Sequence, residues 1–183
     1  MRNSAEDIRS YIFKPTDELL LDANIWLFVY GPSKPGDWKV AVYSRALDKI
    51  LKAQSPIYVD VLIISEFINR YARLKYHIHF PNPDAYHSFK QFRKSADFKP
   101  IAQDVAADVR RVLQHCERVE SGFDTLDIVA LVEEYEKGAS DFNDQVLAEL
   151  CRSKELILVT DDDDFADAGL MVVTANRRLL ARA

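Results

Sequence analysis

The 183-residue sequence is poor in cysteine and has no long uninterrupted apolar segment. Its two cysteines, Cys116 and Cys151, lack the spacing of a disulfide framework or a metal knuckle, so we expect two buried free thiols in a reducing compartment. The most apolar stretch, LLLDANIWLFVY, contains Asp22 and Asn24 and is shorter than the roughly 18 residues of a membrane span. The N-terminal residues are polar and show no signal-peptide pattern. These absences predict a cytoplasmic protein without a membrane partner.

Glycine and proline are also scarce, and the remaining composition is that of an ordinary globular protein. The length predicts a single domain that covers residues 1–183. The net charge of −5 argues against a surface that coats nucleic acid, but the charge is unevenly distributed. Acids are concentrated at 161–167, whereas bases gather at 70–75, 90–99 and 177–182. An acidic pocket beside basic patches is compatible with a metal site that acts on a polyanion.

Short apolar segments alternate with helical repeats along most of the chain, which is typical of a parallel α/β sheet. Strands are predicted at 19–21, 57–59, 118–120, 156–159 and 170–173. Between them the apolar spacing predicts amphipathic helices, and Asp60, Asp124 and Asp141 are expected to cap three of these helices at their N-termini.

The region around 77–117 has the weakest pattern and is predicted to be an extra helical segment. Pro81-Asn82-Pro83 breaks the chain, and Asp84 is expected to cap a helix that carries Phe89 and Phe92. His77 and His79 resemble a metal pair, but no further ligands lie nearby, so surface histidines are expected. Trp26 and Trp38 are most simply packing residues.

Acidic residues occur where several predicted strands end. Asp22 ends the first strand, and the run Asp161–Asp164 follows the fourth. Glu66 lies on the helix after the second strand, and Asp144 opens the helix that leads to the fourth. In open parallel sheets, ligands bind at the carboxyl ends of the strands. Neighbouring carboxylates repel one another unless a cation lies between them, and their hard oxygen atoms suit Mg²⁺ or Mn²⁺.

Each of these acids also has a purely structural explanation. Asp144 can be an ordinary first-turn helix acid, Asp22 a turn residue, and the aspartate run a solvated loop. A calcium loop does not fit, because the required glycine is missing. Four acidic positions at matching strand ends nevertheless favour a metal site.

Together these residues resemble the PIN-domain nuclease family, which includes VapC-like toxin ribonucleases. The resemblance extends from Leu19 to about Val173 and rests on four short motifs: LDAN at 21–24, ISEF at 64–67, NDQVLA at 143–148 and LVTDDDDF at 158–165. It implies a three-layer α/β/α fold with a central parallel sheet of four to five strands.

The resemblance also assigns roles to individual residues. It implies that the catalytic, metal-binding acids are Asp22, Glu66, Asp144 and Asp162. Asp164 would be an accessory metal ligand, and Asn24 and Thr160 would support the site through hydrogen bonds. Asp141 stands where the family usually has a small capping residue, so it either caps or adds a carboxylate. Which aspartate of the run faces the metal stays open at this point.

Basic residues interleave with aromatic residues around 86–99, a pattern that could stack bases and hold phosphates. A core helix with a solvated basic face is the simpler explanation of that segment. Arg177 and Arg178 near the C-terminus have the same ambiguity. The residues predicted to bind RNA are Arg70, Arg73, Lys90, Arg93 and Lys94.

The function implied by the resemblance is metal-dependent cleavage of RNA, with one or two Mg²⁺ or Mn²⁺ ions activating water and stabilising phosphate charge. By family analogy the protein would be the toxin of a bacterial toxin–antitoxin module, with a cognate antitoxin and a homodimer as partners. Two alternatives stay open. The chain could be an inactive PIN-like RNA-binding or interaction module, or a metal-dependent phosphatase or sugar-nucleotide transferase that uses Asp162 and Asp164.

Overall fold

The structure, a computed structural model, describes residues 4–34, 36–80, 88–138 and 140–182. Its strands are β1 Ser4–Asp7, β2 Leu19–Leu21, β3 Ile57–Val59, β4 Glu117–Arg118, β5 Ile157–Val159 and β6 Met171–Thr174. Its helices are α1 Ala23–Tyr30, α2 Trp38–Ala53, α3 Val61–His79, α4 Phe89–Phe92, α5 Phe98–His115, α6 Ile128–Glu136, α7 Phe142–Lys154 and α8 Arg177–Arg182, with a 3₁₀ turn at Asp163–Phe165.

The strands form one sheet in which every pairing is parallel, in the order β1-β6-β5-β2-β3-β4. This arrangement confirms the predicted α/β class with a central parallel sheet. The apolar strand β2 lies inside the sheet and is completely buried, as expected for a strand covered on both faces. Because all strands run in the same direction, their carboxyl ends share one edge, which carries the acids described below.

The sheet has six strands in the described residues rather than four to five, because β1 is added at its edge. Its sequence SAED has no apolar pattern, and it pairs in parallel with β6. The next residue, Ile8, is buried in the core and anchors the strand. A polar edge strand of this kind gives little hydrophobic signal, and the sequence did not predict it.

The apolar segment after Asp22 is a helix, α1, and its side chains from Ala23 to Leu27 are buried. Gly31 ends this helix at a point where the backbone is crowded. A Cβ atom at Gly31 would lie 2.6 Å from the carbonyl oxygen of Leu27, so any larger residue would force the turn to move.

Two of the predicted helix caps are confirmed. Asp60 accepts a hydrogen bond from the Leu62 backbone N–H, and Asp141 accepts one from the Asn143 backbone N–H. The predicted cap at Asp84 lies outside the described residues.

The predicted cap at Asp124 is wrong. Helix α6 begins three residues later, where Asp127 accepts from the Ala130 backbone N–H at 3.0 Å. The intervening residues form a turn, because the backbone N–H groups of Thr125 and Leu126 both donate to the Gly122 carbonyl oxygen.

The segment predicted to be an extra helical region contains the end of α3 together with α4 and α5. Its aromatic side chains pack against one another: Tyr76 contacts the rings of Phe80, Phe89 and Phe92, and Phe92 also contacts Phe98. Phe92 belongs to the hydrophobic core of the protein, and the other described aromatic residues of this segment pack against that core.

Cys116 and Cys151 are free thiols; Cys151 is buried as expected, but Cys116 is partly exposed, so the expectation that both are buried is wrong for Cys116. Within the described residues, no helix combines the length and the apolar character that a membrane crossing requires.

Candidate active site at the carboxyl edge of the sheet

Asp22 lies at the carboxyl end of β2, where it caps α1 and is the centre of a buried hydrogen-bond network. Its Oδ1 accepts from the Ala23 backbone N–H at 2.6 Å. Its Oδ2 accepts from the Thr160 hydroxyl at 2.7 Å and from Asn24 Nδ2 at 2.5 Å. All three polar side chains are buried. The two residues predicted to support the site, Asn24 and Thr160, thus hydrogen-bond directly to Asp22.

Four acids at this edge lie within electrostatic reach of one another. Burial raises the pKa of Asp22 to about 6, with further contributions from the negative charges of Glu66 and Asp162. Burial also raises the pKa of Asp144 to about 7, and the charges of Asp22 and Asp162 act in the same direction. The structure therefore brings together the acids that the sequence predicted to form one site.

The side chains of these acids do not converge fully. In the described residues no group of three or more His, Cys, Asp or Glu side chains lies close enough to hold a metal ion. Glu66 Oε1 instead accepts from Arg70 Nη1 at 2.7 Å, and Asp162 Oδ1 accepts from the Asp164 backbone N–H at 3.2 Å. Both acids are therefore engaged by other protein groups.

The donor chemistry of the site nevertheless fits a hard divalent cation. All four donors are carboxylates, which suit Mg²⁺ or Mn²⁺. Asp22 and Asp144 carry the raised pKa values, and neither forms an ion pair with any Lys, Arg or His among the described residues. A cation bound between these carboxylates would relieve their mutual repulsion.

The first aspartate of the acidic run, Asp161, does not take part in this set. Its side chain is only 5% exposed and accepts from the ammonium of Lys39 and from the Tyr43 hydroxyl, the latter at 2.7 Å. Its backbone N–H donates to Asn24 Oδ1 at 3.2 Å. The Asp161 carboxylate thus has a cation from the protein itself.

Asp163 is also paired with the protein. Its Oδ2 accepts from Arg178 Nη1 at 2.8 Å, and its Oδ1 accepts from Asn176 Nδ2. The Arg178 hydrogen bond is the main reason that the pKa of Asp163 is lowered. The run therefore alternates: Asp161 and Asp163 form ion pairs with Lys39 and Arg178, whereas Asp162 forms no ion pair among the described residues and its charge acts on Asp22 and Asp144. Asp164, the predicted accessory acid, is exposed to solvent.

Asp141 has a structural role as the cap of α7, because its Oδ1 accepts from the Asn143 backbone N–H at 2.9 Å. Its charge also contributes to the raised pKa of Asp144. Asp141 thus lies beside the site while one of its oxygens is occupied.

The residues predicted to bind RNA are distributed over α3, α4 and the segment that follows α4. Of these, Arg70 touches a site acid, through its ion pair with Glu66. Arg73 stacks on Phe89, with the guanidinium carbon 4.7 Å from the ring centroid. The other three bases of the predicted set are exposed: Lys90, Arg93 and Lys94.

The sequence did not predict the residues that bind the acidic run. Asn176 follows β6 at the same carboxyl edge, so the rule that identified Asp22 could have identified it as well. Lys39 and Tyr43 lie on α2 and Arg178 lies on α8, and their sequence patterns gave no indication of this contact.

Comparisons with known proteins bear on the fold and the family of the chain. The chain is similar in structure to one chain in the crystal structure of VapBC2 from Rickettsia felis. In that structure VapBC2 is bound to a DNA fragment from its promoter. The TM-score is 0.55 and the sequence identity 15%, over 86% of this chain and 98% of that chain, so the likeness shows the fold alone. No curated protein sequence matches significantly. A family model, that of the PIN domain, matches residues 19–170. The chain therefore belongs to the PIN-domain family, whose members are generally nucleases.

Proposed function

We propose that this protein is a Mg²⁺- or Mn²⁺-dependent endoribonuclease that hydrolyses phosphodiester bonds of RNA. The observation that supports this most strongly is the pair Asp22 and Asp144. Burial and neighbouring charges raise their pKa values to about 6 and about 7, and no protein cation among the described residues pairs with either. In an enzyme of this family, such carboxylates are suited to hold a divalent cation.

In this proposal the ion or ions are held by four acids, with Asp164 as an accessory ligand: Asp22, Glu66, Asp144 and Asp162. A bound cation supplies charge neutralisation at the phosphate and a water of lowered pKa. Thr160 and Asn24 contribute by fixing the orientation of the Asp22 carboxylate through their hydrogen bonds. Asp141 acts as the helix cap.

The RNA would contact basic side chains of the protein that lie close to these acids. Arg70 is the best placed of the predicted set, because its guanidinium is already bound to Glu66 and has further N–H groups for a phosphate oxygen. Arg73, Lys90, Arg93 and Lys94 are proposed to extend this contact along the surface of α3 and α4.

We also propose that the nuclease is the toxin of a bacterial toxin–antitoxin module, with a cognate antitoxin and a second copy of itself as protein partners. The structural likeness to a VapBC2 chain supports this role. Expression of the wild-type chain in bacteria should then arrest growth, whereas expression of Asp144→Asn should not. Light scattering on the purified protein would measure the proposed homodimer.

The central experiment incubates the purified full chain with labelled single-stranded RNA in EDTA, Mg²⁺ or Mn²⁺. We expect endonucleolytic products with 5′-phosphate and 3′-hydroxyl ends in the presence of metal, no cleavage in EDTA, and loss of cleavage in Asp22→Asn and Asp144→Asn. Cleavage at wild-type rates by both variants would contradict the assignment. Metal binding without cleavage would favour an inactive PIN-like module.

The remaining alternative, a phosphatase or sugar-nucleotide transferase, would use Asp162 and Asp164 as its metal pair. Asp162 Oδ1 accepts from the Asp164 backbone N–H, so the two residues form a local turn, and both readings share this arrangement. Release of phosphate from small phosphate esters, without RNA cleavage, would favour this reading instead.

A further inference from the structure

A second functional surface lies beside the acids, over the carboxyl ends of β1 and β6. It is a cleft of about 670 Å³ whose walls carry four basic residues and one tryptophan. We call it the β1–β6 cleft and define it by Arg9, Trp38, Lys39, Arg177 and Arg178, together with the acids Asp161 and Asp163. Its four cations outnumber its two acids, so the cleft is net positive in a chain whose overall charge is −5.

The cleft adjoins the candidate active site through the acidic run. Strand β6 lies next to β5 in the sheet, and β5 is followed by the aspartates. Asp161 and Asp163 contribute to the wall of the cleft, while the residue between them, Asp162, belongs to the acids on the other side. The cleft and the acidic centre are therefore contiguous through the loop that carries Asp161, Asp162 and Asp163.

Trp38 is the feature that a purely structural role explains least well. It is the first residue of α2, and its side chain is 50% exposed, whereas Trp26 is fully buried. The expectation that both tryptophans are packing residues is therefore wrong for Trp38. The guanidinium of Arg9 lies 5.4 Å from the centroid of the Trp38 ring. Part of the indole is nevertheless open to solvent.

Two of the four cations of the cleft are held in place but retain donors for a ligand. Arg178 binds Asp163, and Arg9 binds Asp7 and the Ala175 carbonyl oxygen. Their side chains are 81% and 41% exposed, and each guanidinium has more N–H groups than these contacts use. Arg177 is exposed and has no carboxylate partner among the residues that the structure describes.

We propose that the β1–β6 cleft binds the single-stranded RNA next to the scissile phosphate, with Arg177, Arg178 and Arg9 on the backbone phosphates and Trp38 stacked on a base. A positively charged groove with an exposed aromatic ring is how proteins hold single strands without reading sequence. The identity of the ligand rests on the proposed ribonuclease function. The site itself rests on the cleft, its charge and the open indole. It adds a binding surface on the side of the acids opposite Arg70, since β3, which precedes α3, lies on the other side of β2 and β5.

The test measures binding separately from cleavage. The full chain in EDTA is titrated with a short, fluorescently labelled single-stranded RNA over a series of salt concentrations. The double variant Arg177→Gln/Arg178→Gln should bind about tenfold more weakly and should lower the salt slope by about 1.4, because two phosphate contacts at roughly 0.7 each are lost. A matched control, Lys52→Gln/Lys154→Gln, removes the same charge at the C-terminal ends of α2 and α7, on the opposite edge of the sheet, and should keep the wild-type salt slope.

Trp38 provides an independent readout. Binding should quench Trp38 fluorescence over the constant signal of the buried Trp26. Trp38→Ala should weaken RNA binding about fivefold or more, while Trp38→Phe should recover most of the affinity because it retains a ring for stacking.

The outcomes separate the two proposals. Wild-type affinity and salt slope in both cleft variants would overturn the inference, even if RNA is cleaved. Competition by a polyglutamate peptide as effective as that of RNA, with no effect of Trp38→Ala, would also overturn it and would identify an acidic protein surface as the ligand. Weakened binding in the cleft variants, in a protein that cleaves no RNA with any metal, would retain the cleft and reject the ribonuclease assignment.

Discussion

Two sets of carboxylates lie at the carboxyl edge of the sheet, and they differ in how their charge is neutralised. The paired acids, Asp161 and Asp163, bind Lys39 and Arg178. The unpaired acids, Asp22 and Asp144, form no ion pair among the described residues, and their pKa values are raised. The protein thus supplies its own cations to the paired acids. The unpaired acids repel each other, which is the arrangement expected where an external cation binds.

The comparison also shows that closeness in sequence is a poor guide to role. Asp161 and Asp162 are adjacent in the sequence. Asp161 is hydrogen-bonded to a side chain of α2, whereas the charge of Asp162 raises the pKa values of Asp22 and Asp144. The dense aspartate run is therefore divided between two electrostatic environments. The following changes would break or sharpen the distinction between the paired and the unpaired acids.

The largest effect is expected from Thr160→Val, which removes a hydrogen-bond donor from an unpaired acid without changing the size of the side chain. The Asp22 carboxylate would lose its 2.7 Å contact with the buried hydroxyl. We expect metal-dependent RNA cleavage to fall about tenfold to a hundredfold, the usual range for residues that orient metal ligands. Thr160→Ser, which keeps the hydroxyl, is the matched control. Equal activity of the Val and Ser variants would contradict the positioning role.

The next effect is expected from Lys39→Met, which removes the cation from a paired acid. The Asp161 side chain is 5% exposed and Lys39 is 35% exposed, so the variant leaves a nearly buried carboxylate with Tyr43 as its remaining side-chain donor. We expect a loss of about 2 kcal/mol in the free energy of unfolding, below the value for fully buried pairs because Lys39 is partly solvated. Urea denaturation measures it. Adding Asp161→Asn should restore part of the loss, and failure to do so would show that the pair is not the cause.

A smaller effect with the opposite sign is expected from Asp144→Asn. The pKa of Asp144 is about 7 in the folded protein, above its ordinary value of 3.8, so the metal-free protein loses stability as the pH rises between these values and the charge is forced onto the buried group. Without metal at pH 8, the variant should melt about 2–5 °C higher than wild type. Near pH 4 the two proteins should melt together. Mn²⁺ should raise the melting temperature of wild type more than that of the variant. A variant that is less stable than wild type at pH 8 would show that burial and the neighbouring charges do not make the ionised Asp144 destabilising.

The smallest effect is expected from Arg178→Gln, which breaks the other paired acid. This pair lies in solvent, with the Arg178 side chain 81% exposed, and exposed ion pairs contribute little to stability. We expect a melting temperature within error of wild type, measured by differential scanning calorimetry. A clear loss would show that Asp163 is part of a wider structural network.

The fold and the unpaired acids could be predicted from the sequence. Buried parallel strands consist of consecutive apolar residues, and acids at their ends are easily recognised. LLL before Asp22 and LILV before Thr160 are examples, and both strands lie inside the sheet. The family assignment made from these motifs is confirmed by the match over residues 19–170.

Other features carry no local signal. Strand β1 is polar because it is an edge strand that pairs through its backbone. The division of the aspartate run is decided by Lys39, Tyr43 and Arg178, which reach it from distant helices. The cap of α6 was misplaced because Asp124 and Asp127 are equally good capping residues, and a turn formed on the Gly122 carbonyl oxygen selects the second.

The order in which the strands join the sheet has a consequence for synthesis. Asp22 is held by Thr160, which follows it by 138 residues, and β1 pairs with β6 near the other end of the chain. At ordinary translation rates, Thr160 emerges on the order of ten seconds after Asp22. Until then the growing chain lacks β5, β6 and the hydroxyl that orients the central carboxylate. A nascent chain that lacks Thr160 therefore cannot form the buried hydrogen-bond network around Asp22, so the acidic centre takes its described arrangement only after β5 has been synthesised.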